Sequence, residues 1–353
     1  DGRSVYLDST FLYQLDSSIL PADRAYQKIA NWGITDKLDP AYDKATGQWA
    51  VYAARDLYRG GEAIARKGER IAGSGFDSSR LGGDMFTANI DPSTGLVDIQ
   101  ATQAYLDLVS ADDAHEQGWR AYVQATRVKV TDRHENVFTE HVNGKDLTSN
   151  IVWTRTPDLT PGIKLEKWDR RSGWPKGDRD DSKDALDGAR DGDVIVFTVT
   201  NTSKDEDGHG AWFKASDLKL EDHTIVGDGE VKDLKYPDNW STRVLKPGDS
   251  VEVTGTLTGF TKDRHTDRAK VTGTPLVECP VVDKDPFGDA SGKPSTGGEA
   301  GDGDGPRQVT VGDRTLCEDT PVESNTDDWN GRRSLLGETG SAILPLGVGA
   351  LLM

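Results

Sequence analysis

Apolar residues in this chain return at every second position, in short runs broken by Gly, Pro, Asn and Asp. That period builds half-buried strands and leaves little room for helices. The run from Asp193 to Thr202, with Val194-Ile-Val-Phe-Thr-Val-Thr-Asn201 inside it, is the clearest strand. Earlier, Val5 and Leu7 and then Phe11, Tyr13 and Leu15 alternate in the same way, and residues 34–39, 48–52, 119–130 and 149–154 continue the series. Asn143-Gly144 marks a turn between apolar runs. Residues 102–109 predict the one short helix. A second series follows at residues 163–168, 216–220 and 268–274, with a Pro247-Gly248 turn feeding a strand up to Leu257.

The two series are divided by Thr156-Pro-Asp-Leu-Thr-Pro-Gly162, a linker by composition. The reading is a mainly β protein: one β-sandwich over residues 1–160 and a second, immunoglobulin-like by its strand spacing, over 161–283. Acids outnumber bases 60 to 42, for a net charge of −18. Such a chain is repelled by nucleic acid and by anionic membrane surfaces, so neither is expected as a partner. The six histidines fall in no HExxH pair, and there is no Gly-x-Ser-x-Gly elbow or phosphate loop. Nine tryptophans and nine tyrosines could line a carbohydrate groove, but most occupy strand positions, where core packing is the simpler role. The chain is not expected to be an enzyme.

The C-terminus differs from everything before it. Leu336-Gly-Glu-Thr-Gly340 precedes an almost uncharged apolar run from Ala342 to Met353. That run has no polar face, and at about a dozen residues it is shorter than the roughly 20 a bilayer demands. It reads as the start of a membrane segment. The pentad resembles the Leu-Pro-x-Thr-Gly sorting signal of Gram-positive surface proteins, with Gly337 in place of the Pro, a substitution some actinobacterial sortases accept. The resemblance implies cleavage between Thr339 and Gly340, with Leu336 as the other recognised position. It implies sortase as a partner, attachment to cell-wall peptidoglycan and a secreted, wall-anchored location. Asp1-Gly-Arg-Ser4 has neither the basic region nor the apolar core of a signal peptide, so the chain is expected to begin inside a longer one. In an exported protein the isolated pair Cys279 and Cys317 is expected to form one disulfide.

A second resemblance rests on Thr10-Phe-Leu-Tyr-Gln-Leu15, Trp32-Gly-Ile-Thr-Asp36 and Thr148-Ser-Asn-Ile-Val152. These are similar to the C-terminal domains of streptococcal antigen I/II adhesins, over residues 3–157. That family has a β-sandwich locked by a Lys–Asn isopeptide bond under a buried Asp. The resemblance implies Asn150 as the amide partner and Asp36 as the promoting acid. The Lys would lie on a strand before Val5, and the first Lys here is Lys28. A strand or turn residue at Asn150 and a turn cap at Asp36 are the plainer alternatives.

The second region resembles the repeat domains that stack as spacer stalks on bacterial surfaces. Its loop from Asp178 to Asp187 places five aspartates in ten residues. Alternate acids offer several oxygens to one Ca²⁺, with Asp178, Asp180 and Asp184 as ligands; a solvated acidic loop is the alternative. It is not an EF-hand, lacking the Gly at the sixth position and the Glu at the twelfth. Lys164 or Lys167 on the first strand and Asp267 before the last would also permit a Lys–Asp bond, but Asp267 stands in the polar run Thr266-Asp267-Arg268 and reads as exposed. Residues 284–333 read as a flexible acidic tether, too poor in apolar residues to fold, with a small island at 308–317 held against the second domain by the disulfide. Two functions fit: the adhesin or stalk region of a wall-anchored protein, mediating cell adhesion while a binding head lies upstream, or a calcium-dependent binding module for host glycoprotein or polysaccharide.

Overall fold

A computed structural model describes residues 2–26, 28–281 and 306–334. The chain divides into two compact units, one of residues 1–158 and 278–317 and the other of 159–277 and 318–353. Both are β-sandwiches of the immunoglobulin-like kind, so the strand period decides the fold class.

In the first unit, Thr10–Asp16 pairs antiparallel with Trp119–Arg127, which pairs in turn with Asp43–Ala53, and Arg70–Gly73 closes that sheet. The facing sheet runs Lys145–Thr148, Phe138–Val142, Trp32–Lys37, Leu96–Ala101 and Phe86–Asp91. Alternation along Thr10–Asp16 buries Phe11, Tyr13 and Leu15 and exposes the residues between them to varying degrees. Trp32 and Trp119 meet edge to face in the core, their ring centroids 6.2 Å apart. Trp32 Nε1 donates to Glu140 Oε1 at 2.7 Å, and the backbone N–H of Ser18 donates to the same carboxylate, which accounts for a buried glutamate between the sheets. The helix runs Gln103–Ala111 and buries Tyr105, Leu106 and Val109.

In the second unit, Ile163–Asp169, Val194–Asn201, Ser250–Thr258 and Glu230–Lys235 form one sheet. The other places Asp327–Arg332 beside Arg264–Gly273, with Lys219–Gly227 beyond it. Asn201 is buried and donates to the carbonyls of Ala211 and Leu245 at 2.8 and 2.9 Å, tying the end of its strand to a loop and to the short strand Val244–Leu245.

One expectation about the tail is corrected. Residues 322–332 are not tether: Val322–Glu323 and Asp327–Arg332 are strands, and Trp329 is fully buried. Asn330-Gly331 looks like a turn, yet Gly331 is where the sheet has no room for a side chain, since a Cβ there would lie 2.8 Å from both the Trp329 ring and Ala189. The hairpin of Gln308–Val311 and Arg314–Glu318 groups, up to Cys317, with the first unit. Val281 is what draws this segment there: it accepts from Thr10 N at 2.9 Å and donates to Ser9 Oγ at 2.9 Å. Cys279 and Cys317 are joined in a disulfide. Leu336, Thr339, Gly340 and the apolar run lie outside the described residues. Among the described residues no helix is long and apolar enough to cross a membrane.

Candidate functional site

Three clusters of buried charge stand out, one in the first unit and two in the second. The first is built around Arg127, at the end of its strand and wholly inaccessible to solvent. Its Nε donates to Asp43 Oδ1 at 2.6 Å, and its Nη1 and Nη2 donate to the hydroxyls of Thr156 and Thr154. Tyr13 OH donates to Asp43 Oδ2 at 2.6 Å. Burial first, and then the Asp43 carboxylate, push the Tyr13 phenol well above its usual range, so it stays a donor. The cluster fastens four strands of the first unit around the Arg127–Asp43 ion pair.

Asp36 lies nearby, buried, and accepts from Asn136 Nδ2 at 2.8 Å. Burial pushes its carboxyl up to about 6, against the pull of hydrogen bonds from Asn136 and the Lys37 backbone. Asn150 is exposed and its amide turns to the Ile151 carbonyl at 3.4 Å. The structure therefore sets Asn136, not Asn150, against Asp36: an exposed amide cannot be polarised by an acid buried elsewhere. The local signal for Asn136 is its place as the one buried residue of Thr131–Asn136, a strand whose charged sequence hides the alternation.

In the second unit, Lys167 projects inward from Ile163–Asp169 and is fully buried. Its Nζ donates to Asp222 Oδ1 at 2.5 Å and stands 2.5 Å from Asp267 Oδ1. The two aspartates belong to neighbouring strands of the facing sheet, where Asp222 sits opposite Ala269 and Asp267 opposite Thr224, so both reach the same inner face. Asp267 is wholly buried, which corrects the expectation of exposure: the alternation of Arg264–Gly273 turns His265, Asp267, Ala269 and Val271 inward together. His265 Nε2 is 3.1 Å from Asp267 Oδ2, while its Nδ1 lies 2.7 Å from the Asp228 carbonyl. The Phe197 ring centroid is 5.2 Å from the Lys167 Nζ. Burial pushes the Asp222 carboxyl up to about 6, in spite of Lys167. Burial alone would raise Asp267 as well, but the Lys167 ammonium and then His265 hold it below the usual carboxylate range.

The third cluster, in the same unit, is partly buried. Carboxylate oxygens of Glu166, Asp178 and Asp327 lie within 4.8 Å of one another. Asp180 adjoins both aspartates; burial and then Asp180 push Asp178 up to about 6 and Asp327 up to about 8. The cluster thus keeps Asp178 from the acidic loop, with Asp180 at its side, and adds two strand residues that no local pattern signals. Asp184 stands apart in the exposed turn Ser182–Asp184, where Arg179 Nη1 donates to its backbone carbonyl.

Residues 1–157 match the family described as "Cell surface antigen C-terminus". That span is the main body of the first unit. An aggregation substance of Enterococcus faecalis is 30% identical over 162 residues, which are 45% of this chain and 11% of that protein. This chain therefore spans about a tenth of that relative's length. Among solved structures, the C-terminal domain of the Streptococcus pyogenes antigen I/II-family protein AspA is 22% identical, covering 44% of this chain and 42% of that one with a TM-score of 0.37. The C-terminal domain of the Streptococcus agalactiae antigen I/II polypeptide BspA is 18% identical, covering 44% and 45%, also with a TM-score of 0.37. None of these names describes an enzyme.

Proposed function

We propose that this chain is a region of a wall-anchored bacterial surface adhesin, with the second sandwich serving as a spacer toward the anchor. The observation that carries the reading is the cell-surface-antigen match over residues 1–157. A second sandwich, a Gly/Asp-rich stretch and Leu336-Gly-Glu-Thr-Gly340 follow it in the order a displayed protein needs. Sortase and wall peptidoglycan are the partners this assigns, through Thr339, and a host glycoprotein or polysaccharide is the class of ligand. The test is trypsin treatment of intact producing cells. Peptides from both units should appear in the supernatant before lysis, and Thr339→Ala should move the protein out of the muramidase-released wall fraction. Peptides released only after lysis would overturn the reading.

The acidic cluster favours a second reading, binding that depends on calcium. Glu166, Asp178 and Asp327 offer hard carboxylate oxygens from two strands and a loop, the type of ligand Ca²⁺ takes. Binding by the intact chain to immobilised glycoproteins and polysaccharides, with Ca²⁺ and with chelator, separates the two: a signal lost in chelator supports calcium dependence, and an unchanged one removes it.

A further inference from the structure

Lys167 is placed unlike an ordinary buried ion-pair partner. Asp222 accepts a hydrogen bond from its Nζ, but the 2.5 Å approach to Asp267 is not aligned as one, and neither Asp267 oxygen has a hydrogen bond. The nitrogen therefore crowds the carboxyl group of Asp267 without using a lone-pair direction, beside the Cγ to which Oδ1 is bonded. Lys167, Asp267 and His265 are each no more than 1% exposed, and Phe197 and Trp329 are fully buried around them, so bulk water does not reach the group. A charged Lys and a charged Asp are costly to bury, so a product that removes both charges gains in a place from which solvent is excluded.

We propose that Lys167 and Asp267 are joined by an intramolecular amide bond between Nζ and the side-chain Cγ, with Asp222 carrying the proton. The Lys167 ammonium gives a proton to the Asp267 carboxylate, leaving an amine and a carboxylic acid. The amine nitrogen attacks Cγ, and the N–Cγ bond forms. Asp222 takes the second proton from nitrogen and delivers it to the hydroxyl on Cγ. The Cγ–O bond breaks and water leaves. Asp222 ends as it began, and the sum is amine plus acid giving amide plus one water, with no co-reactant. The strands fix all three groups before reaction, supplying the proximity that the same chemistry lacks in solution. The product removes two buried charges and links the first strand of the unit to the opposite sheet.

Intact mass of the full chain under reducing conditions decides it. The wild-type chain should weigh one water molecule less than its sequence, and a tryptic digest should leave Lys167 uncut in a branched peptide that contains Asp267. Lys167→Met and Asp267→Ala should each restore the full mass. Asp222→Asn, which keeps both reacting groups, should raise the unlinked fraction at least tenfold in freshly made protein. A wild-type chain at full mass, with an ordinary tryptic peptide ending at Lys167, overturns the proposal. A branched peptide carrying Asp222 in place of Asp267 overturns the assignment of the bond. Both results come from the wild-type chain, so a variant that fails to fold does not decide the matter.

Discussion

Arg127 and Lys167 are both wholly buried basic side chains, and their head groups set different limits. A guanidinium stays protonated and cannot act as a nucleophile, so Arg127 holds its strands only through Asp43 and the two threonines. Arg127→Met should leave the Asp43 carboxylate buried with its guanidinium gone and lower the stability of the first unit by about 3–5 kcal/mol, read from urea unfolding. Asp36 makes a pH prediction. Its folded pKa of about 6 lies above the unfolded value of 3.8. The stabilisation that its protonated form brings is therefore complete below 3.8 and is lost as pH rises through 6. The urea midpoint of the first unit should fall over that window, and Asp36→Asn should flatten the fall; an unchanged slope would refute the assignment. Asp36 was legible only through the resemblance carried by Trp32-Gly-Ile-Thr-Asp36, since a turn cap is the plainer reading of its local sequence. Asn136 was not, because its neighbours Asp132, Arg133, His134 and Glu135 mask a buried position that only the partner strand reveals.

At the scale of elements, strands with clear period-two burial, such as Thr10–Asp16 and Val194–Asn201, stand where the sequence places them. The misread element is Asp327–Arg332. It carries one large apolar residue among Asp, Asn, Gly and Arg, and nothing local marks it as a strand. Long-range pairing with Arg264–Gly273 creates it, as do the backbone N–H of Lys167 donating to Asp327 and Leu165 N donating to Asn325 Oδ1 at 3.0 Å. Trp329→Ala should then cost the second unit about 3–5 kcal/mol, the usual range for emptying a large aromatic site, with the unfolding transition of the first unit unmoved. A loss below about 1 kcal/mol would show that the strand is peripheral. The same non-local logic explains the acidic clusters: the loop from Asp178 was visible, but Glu166 and Asp327 come to it only through the fold.

For the whole molecule, the chain passes from the first unit to the second, returns through residues 278–317, and enters the second again. The linker at 156–162 was legible because Pro and Gly interrupt the strand period there; the return was not, because it depends on a few main-chain bonds at Val281. The Cys279–Cys317 disulfide closes a loop of 38 residues. Its reduction should destabilise the first unit by roughly 3–4 kcal/mol on a chain-entropy basis, measured as a lower denaturation midpoint in reductant. The re-entry also sets a timetable. Asp327–Arg332 is among the last described segments of the chain, yet it occupies an inner position in its sheet. A ribosome or export channel that has delivered everything up to residue 320 has still not supplied a central piece of the second sandwich. That unit must wait, open along one strand, until the C-terminal end of the chain arrives.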